Sequence, residues 1–141
     1  MSFCGLSRPQ AYLIRVHTFL LIFLFYSDSL FTISMKVAQL KTFIKELEEF
    51  PKETVEDIFS IVDRFILGER LNNKEFKTFK IDKNTKIQEF KVKDDKGNWR
   101  AISTIVNKDT MVFVYAFHKK SQALLDKDKD VIRKRIRSIE L

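Results

Sequence analysis

The chain has 141 residues, with 26 Lys and Arg against 19 Asp and Glu, two His, one Cys, three Gly and two Pro. Its length fits one domain, a 45% hydrophobic content with fourteen Phe supplies a core, and the low Gly and Pro count excludes collagen-like and low-complexity architectures. A single Cys excludes an intrachain disulfide framework and a multi-Cys zinc site, and the formal charge of +7 points to an anionic partner.

Charge divides the chain at Ser34/Met35. Residues 1–34 hold only Arg8, Arg15 and Asp28 as charged residues, so residues 35–141 carry a net +6. The apolar centre of the first segment, Phe19 to Tyr26, is shorter than the ~20 apolar residues a spanning helix needs. Three readings fit this extension: a signal-peptide hydrophobic region, a weak membrane anchor, or residues upstream of a true start at Met35. Residues 35–141 form the folded domain in each of them, and no stable membrane association is expected of it.

Within that domain, Leu40, Phe43, Ile44, Leu47 and Phe50 recur at helical spacing. Pro51 then opens a second helix, with Val55, Ile58, Phe59, Val62, Phe65 and Ile66 on one stripe and Gly68 as its stop. The spacing predicts an αα-hairpin over 38–67. After Gly68 the period changes to two. Phe76, Phe79 and Ile81 make one strand, Ile87, Phe90 and Val92 another, and Asp94-Asp95-Lys96-Gly97-Asn98 reads as a hairpin turn. Trp99 to Val106 and Met111 to Phe117 follow, separated by a turn at Asn107-Lys108-Asp109; the last run is apolar on both faces, as in a central strand. Val131, Ile132, Ile136 and Ile139 predict a closing helix over 128–141. The expected class is α+β: an N-terminal αα-hairpin, an antiparallel sheet of three to four strands, and a C-terminal helix.

The sequence lacks a Gly-rich phosphate loop, and its only His residues are His17 and His118, which leaves no metal cluster and no expected cofactor. Asp94-Asp95 is better explained by the turn than as a catalytic carboxylate pair. The positive signal is a basic set on or beside the strands: Lys86, Lys91, Lys93, Arg100, Lys119 and Lys120, joined by Trp99, Tyr115 and His118. Alternation puts Glu89, Lys91 and Lys93 on one face and turns Phe90 and Val92 to the core. A solvated outer face explains such a pattern; so does a cationic, concave sheet that grips a phosphodiester backbone.

Three blocks bear on that choice. Glu89-Phe90-Lys91, Gly97-Asn98-Trp99-Arg100 and Phe117-His118-Lys119-Lys120-Ser121-Gln122 occur in this order, the last closing an apolar strand before a basic helix. In order and spacing the chain from Met35 to Leu141 resembles phage-derived HigB-like toxins of the RelE/ParE superfamily. Two positions depart from that pattern: Lys91 stands where the usual residue is Arg, losing the planar fork that holds phosphate bidentately, and no Pro follows Ser121-Gln122.

The resemblance implies a RelE-like fold and the toxin of a type II toxin–antitoxin pair, a ribosome-dependent mRNA endoribonuclease that needs no metal. The cleavage uses a ribose 2′-hydroxyl to attack the neighbouring phosphorus, which calls for a base, a stabiliser of negative charge and an acid. On this reading Arg100, Lys119 and Lys120 stabilise charge, with Lys91 as a further cation. His118 has the unperturbed pKa suited to proton transfer, with Glu89 and Tyr115 as weaker candidates. Lys86, Lys93 and Tyr115 contact RNA. The implied partners are mRNA on the ribosome and a helix-turn-helix, HigA-like antitoxin, and the implied location is the cytoplasm. Two alternatives remain open at this point: a ParE-like toxin aimed at DNA gyrase, and a non-catalytic phage-derived nucleic-acid-binding protein.

Overall fold

The computed structural model describes the backbone of Tyr12–Arg15 and residues 35–121 and 123–139. The elements are β1 (Tyr12–Arg15), β2 (Lys36–Leu40), α1 (Lys41–Leu47), α2 (Lys52–Ile66), β3 (Phe76–Lys80), β4 (Lys86–Asp94), β5 (Gly97–Val106), β6 (Thr110–Lys119) and α3 (Asp126–Ile139). The strands make one mixed sheet in the order β1-β2-β6-β5-β4-β3. β2 runs parallel to β6, and the other pairs are antiparallel. Apart from β1, the readings of residues 1–34 fall outside the described residues. No described helix is long and apolar enough to cross a membrane.

The fold is α+β with a C-terminal helix, as expected, but two expectations are corrected. The first helix does not begin at 38, because Lys36–Leu40 is a strand and Leu40 is the extended residue immediately before α1. Leu40 and Phe43 satisfy helical spacing only by coincidence. Val37, Ala38, Gln39 and Leu40 are all buried, as befits a strand flanked by β1 and β6 inside a covered sheet. The sheet therefore has five strands between residues 36 and 119, not three or four, and it is mixed rather than antiparallel.

Helices α1 and α2 cover one face of the sheet through an aromatic cluster. Phe113 lies 5.1 Å from Phe43, 5.8 Å from Phe59 and 5.6 Å from Phe90, while Phe65 bridges Phe76 and Phe90 at 4.8 and 5.8 Å. Each such ring taken out of water contributes about 1.5–3 kcal/mol, so this layer is the main source of stability. Gly68, at φ +80°, closes α2 in the left-handed region that its sequence position predicts. Asp94 locks the β4–β5 turn. It accepts the amides of Lys96 and Gly97 at 2.8 and 2.9 Å, the Trp99 indole at 3.0 Å and the Thr54 hydroxyl at 2.6 Å, which ties the turn to α2.

α3 packs on the opposite face, with Ile132 and Ile136 buried. The Tyr115 hydroxyl donates to Asp128 at 2.9 Å, and the Arg135 guanidinium lies 5.1 Å over the Tyr115 ring. Beside this contact β6 carries a β-bulge: Tyr115 pairs with Ile102 but Phe113 pairs with Ser103, leaving Val114 as the extra residue. β2 has ended here, so the outer edge of β6 needs other partners. Arg135 Nη1 donates to the Val114 carbonyl at 2.7 Å, and the Ala116 amide donates to Glu46 Oε1 at 3.2 Å. Glu46 and Arg135 in turn form a two-point pair at 2.8 and 2.9 Å, so side chains from α1 and α3 replace the missing strand.

Candidate functional site

Residues directly opposite one another in an antiparallel ladder point to the same face. The register therefore stacks three rows across β3, β4, β5 and β6: Lys77, Glu89, Ile102 and Tyr115; then Lys91, Arg100 and Phe117; then Lys93, Asn98 and Lys119. All lie on the α3 side of the sheet. Five cations thus share one face with one acid. The acid is the most buried of them, with Glu89 only 4% exposed.

Glu89 organises the centre. Its Oε1 lies 3.3 Å from Arg100 Nε and 3.8 Å from Lys119 Nζ. The buried Arg100 Nε–H has no well-aligned hydrogen-bond acceptor, so charge rather than a straight hydrogen bond holds this contact. Arg100 Nη1 donates to the Trp99 carbonyl at 3.0 Å, which fixes the plane of the guanidinium. Burial pulls the Arg100 pKa below the ordinary guanidinium value, opposed by Glu89. Lys91 is also held below the usual lysine range, first by burial and then by Arg100, Lys77 and Lys119, with Glu89 acting against them. Its ammonium donates to the Asn73 carbonyl in the α2–β3 loop. Arg64, paired with Glu75, secures that loop.

Lys91, Arg100 and Lys119 are therefore brought together, and Lys93 sits exposed at the rim of the same face. Lys120 lies beyond the end of β6, exposed, outside the Glu89 cluster. It borders a groove of about 290 Å³ with Tyr115, Phe117, Lys119, Leu125 and Lys127. Tyr115 and Phe117 stack at 4.8 Å along this groove. Burial and the bond to Asp128 push the Tyr115 hydroxyl up to about 12, so it keeps its proton at neutral pH and is no ready base.

Two expected site residues lie apart from the Glu89 cluster. His118 faces the other side of the sheet, the side of α1 and α2. It pairs across from Trp99 and stacks on it at 4.5 Å, and Trp99 in turn packs on Phe50 at 4.7 Å. A Cβ at Gly97, whose φ is +151°, would come within 1.9 Å of His118 Nε2, so the imidazole fills the space that the glycine leaves. The residue is nonetheless solvent-exposed, at the strand end that borders the groove of about 290 Å³. Lys86 is exposed and alternates onto the same side as Phe90, opposite Lys80 and at the far end of β4 from Trp99.

The sequence reading missed Lys77, whose row depends on the β3–β4 register. It also missed Glu46, Arg135 and Asp128. These act from separate helices on the bulge and on Tyr115, and no local spacing announces them. Among the described residues no group of three or more His, Cys, Asp and Glu is arranged to hold a metal ion.

No curated protein matches the chain. A family described as "Phage derived protein Gp49-like (DUF891)" matches residues 45–137, from within α1 to near the end of α3, and so contains every row of the cationic face. The chain belongs to this phage-derived Gp49-like family.

Proposed function

We propose that this chain is the toxin of a type II toxin–antitoxin pair and cleaves mRNA on the ribosome, using the cationic face of the sheet and no metal. The family's association with RelE- and HigB-like toxins supports the reading. The observation that carries it is the convergence of Lys91, Arg100 and Lys119 from three adjacent strands around the buried Glu89. Fixed cations in a water-poor setting stabilise the added charge of a pentacoordinate phosphorus far better than they would in bulk water.

In this scheme the ribose 2′-oxygen bonds to phosphorus and the bond to the 5′-oxygen breaks, leaving a 2′,3′-cyclic phosphate and a 5′-hydroxyl. Arg100 and Lys119 meet the phosphate from the places they hold, which loosens their pairing with Glu89 and lets its carboxylate take the 2′-hydroxyl proton. Lys91, held below the usual lysine range, gives a proton to the leaving oxygen. With His118 on the other side of the sheet, proton transfer falls to Glu89 and Lys91. The implied partners are mRNA on the ribosome and a helix-turn-helix antitoxin, in the cytoplasm.

The test is expression of the full chain, with growth and ribosome-dependent RNA cleavage followed in the wild type and in Arg100→Ala. Growth arrest and cut transcripts in the wild type, both abolished in the variant, fit the proposal. Gyrase inhibition without RNA cleavage would assign the chain to the ParE-like alternative, and RNA binding without cleavage on translating ribosomes to the non-catalytic one.

A further inference from the structure

The charge of the helical layers is opposite on the two sides of the sheet. Residues 41–66, spanning α1 and α2, hold four basic against seven acidic side chains, while α3 holds six basic against three acidic. Three of the α3 cations are committed: Lys129 to Asp126, Arg133 to Asp82 and Asp130, and Arg135 to Glu46. The remaining three, Lys127, Lys134 and Arg137, are exposed and have no acidic partner among the described residues. With Asp130, whose charge Arg133 already engages, they fall at spacings of three and four and so form one outer stripe of the helix.

That stripe joins concave surface at each end. Lys127 lines the groove that holds Lys119, Lys120 and Tyr115. Lys134 and Arg137 line a second hollow of about 490 Å³, and Arg137 shares a third, of about 620 Å³, with Lys83 and Asn84 of the β3–β4 turn. From Lys127 to Arg137 the helix rises roughly 15 Å, enough to follow several nucleotides of backbone.

We infer that Lys127, Lys134 and Arg137, with Lys83 at the far end, form a docking track for the phosphodiester backbone of structured RNA, separate from the strand that is cut. The inference rests on the proposed ribosomal target. Unpaired cations on an exposed stripe, continuous with the cationic sheet face, suit a polyphosphate surface; the acidic α1–α2 layer opposite repels one and so orients the approach. The track positions the protein on its target without taking part in the chemistry.

The experiment measures binding of the full chain to 70S ribosomes across a salt series, separately from cleavage. The variant carries Lys127→Glu, Lys134→Glu and Arg137→Glu; its control carries Lys41→Glu, Lys45→Glu and Lys52→Glu, an equal charge change on the other layer. The track predicts at least a tenfold loss of affinity in the first and no more than twofold in the second. The log–log salt slope should flatten by roughly two units, at ~0.7–0.9 for each phosphate no longer neutralised. At saturating protein the rate of RNA cutting should hold when Lys134 and Arg137 alone are replaced, since Lys127 shares its groove with Lys119. A Lys134→Gln, Arg137→Gln pair, expected to weaken binding at least threefold, repeats the measurement without charge reversal should the triple variant fail to fold. Equal losses in variant and control would overturn the inference, as would unchanged ribosome affinity with loss of binding to an acidic protein partner. If the wild type binds ribosomes through the track but never cuts RNA, the catalytic reading fails and the track stands.

Discussion

The two faces of one sheet use the same alternation for opposite ends. On the α1–α2 side, Phe90, Phe113 and Trp99 are packed by aromatic and aliphatic side chains, and the His118 ring is stacked on Trp99. On the α3 side, Lys91, Arg100 and Lys119 surround a buried carboxylate, and Lys119 also borders a groove. The first face stabilises the fold by removing apolar surface from water; the second holds like charges together, a strained arrangement that Glu89 relieves in the absence of an anion. The fold tolerates the second only because the first is so well packed, which is why charge convergence marks function here and aromatic packing does not.

The sharpest way to break the comparison is Arg100→Ala. It should lower RNA cleavage by ~100–1,000-fold, the usual cost of removing one fixed stabiliser of transition-state charge, as read by single-turnover cutting of ribosome-bound mRNA. Arg135→Ala comes next. It removes the cationic partner of Glu46 and the donor to the Val114 carbonyl, and should cost about 2–4 kcal/mol in denaturant unfolding. Activity should fall with it, since the bulge decides which β6 side chains reach the cationic face.

A smaller effect separates acid sensitivity of the packed face from that of the cationic one. The bonds from Thr54 and Trp99 hold the Asp94 carboxyl at about 2, below its ordinary 3.8. A lowered folded value means that its contribution is present above pH ~4 and is lost as pH falls through roughly 4 to 2. Asp94→Asn should flatten the dependence of the thermal midpoint on pH in that window, with little change at pH 7 in that dependence. The smallest expected change is in the alkaline limb of activity. Tyr115→Phe should leave it in place, because a hydroxyl pushed up to about 12 does not titrate in the working range.

Much of this layout is legible in the sequence. Period-two spacing in Glu89 to Lys93 separates Phe90 and Val92 from Lys91 and Lys93, and the turn chemistry of Asp94 to Gly97 places the hairpin that aligns Lys91 with Arg100. The strand at Lys36–Leu40 is not legible, because a short buried run next to a helix satisfies both periodicities. Nor is the fate of His118. Unbroken alternation from Phe113 would send Tyr115, Phe117 and Lys119 toward α1 and α2 and bring His118 onto the cationic face. The extra residue Val114 reverses this parity, and the groups that bond the strand edge beside it, Glu46 at Ala116 and Arg135 at Val114, are 89 positions apart.

The central claim is therefore tested by a parity experiment on β6: single-turnover cleavage of ribosome-bound mRNA by Lys119→Ala and by His118→Ala, at matched saturation and with folding verified. RNA chemistry on the α3 side predicts that Lys119→Ala slows cutting by at least tenfold while His118→Ala stays within about threefold of wild type. A large loss in His118→Ala with Lys119→Ala near wild type would contradict it.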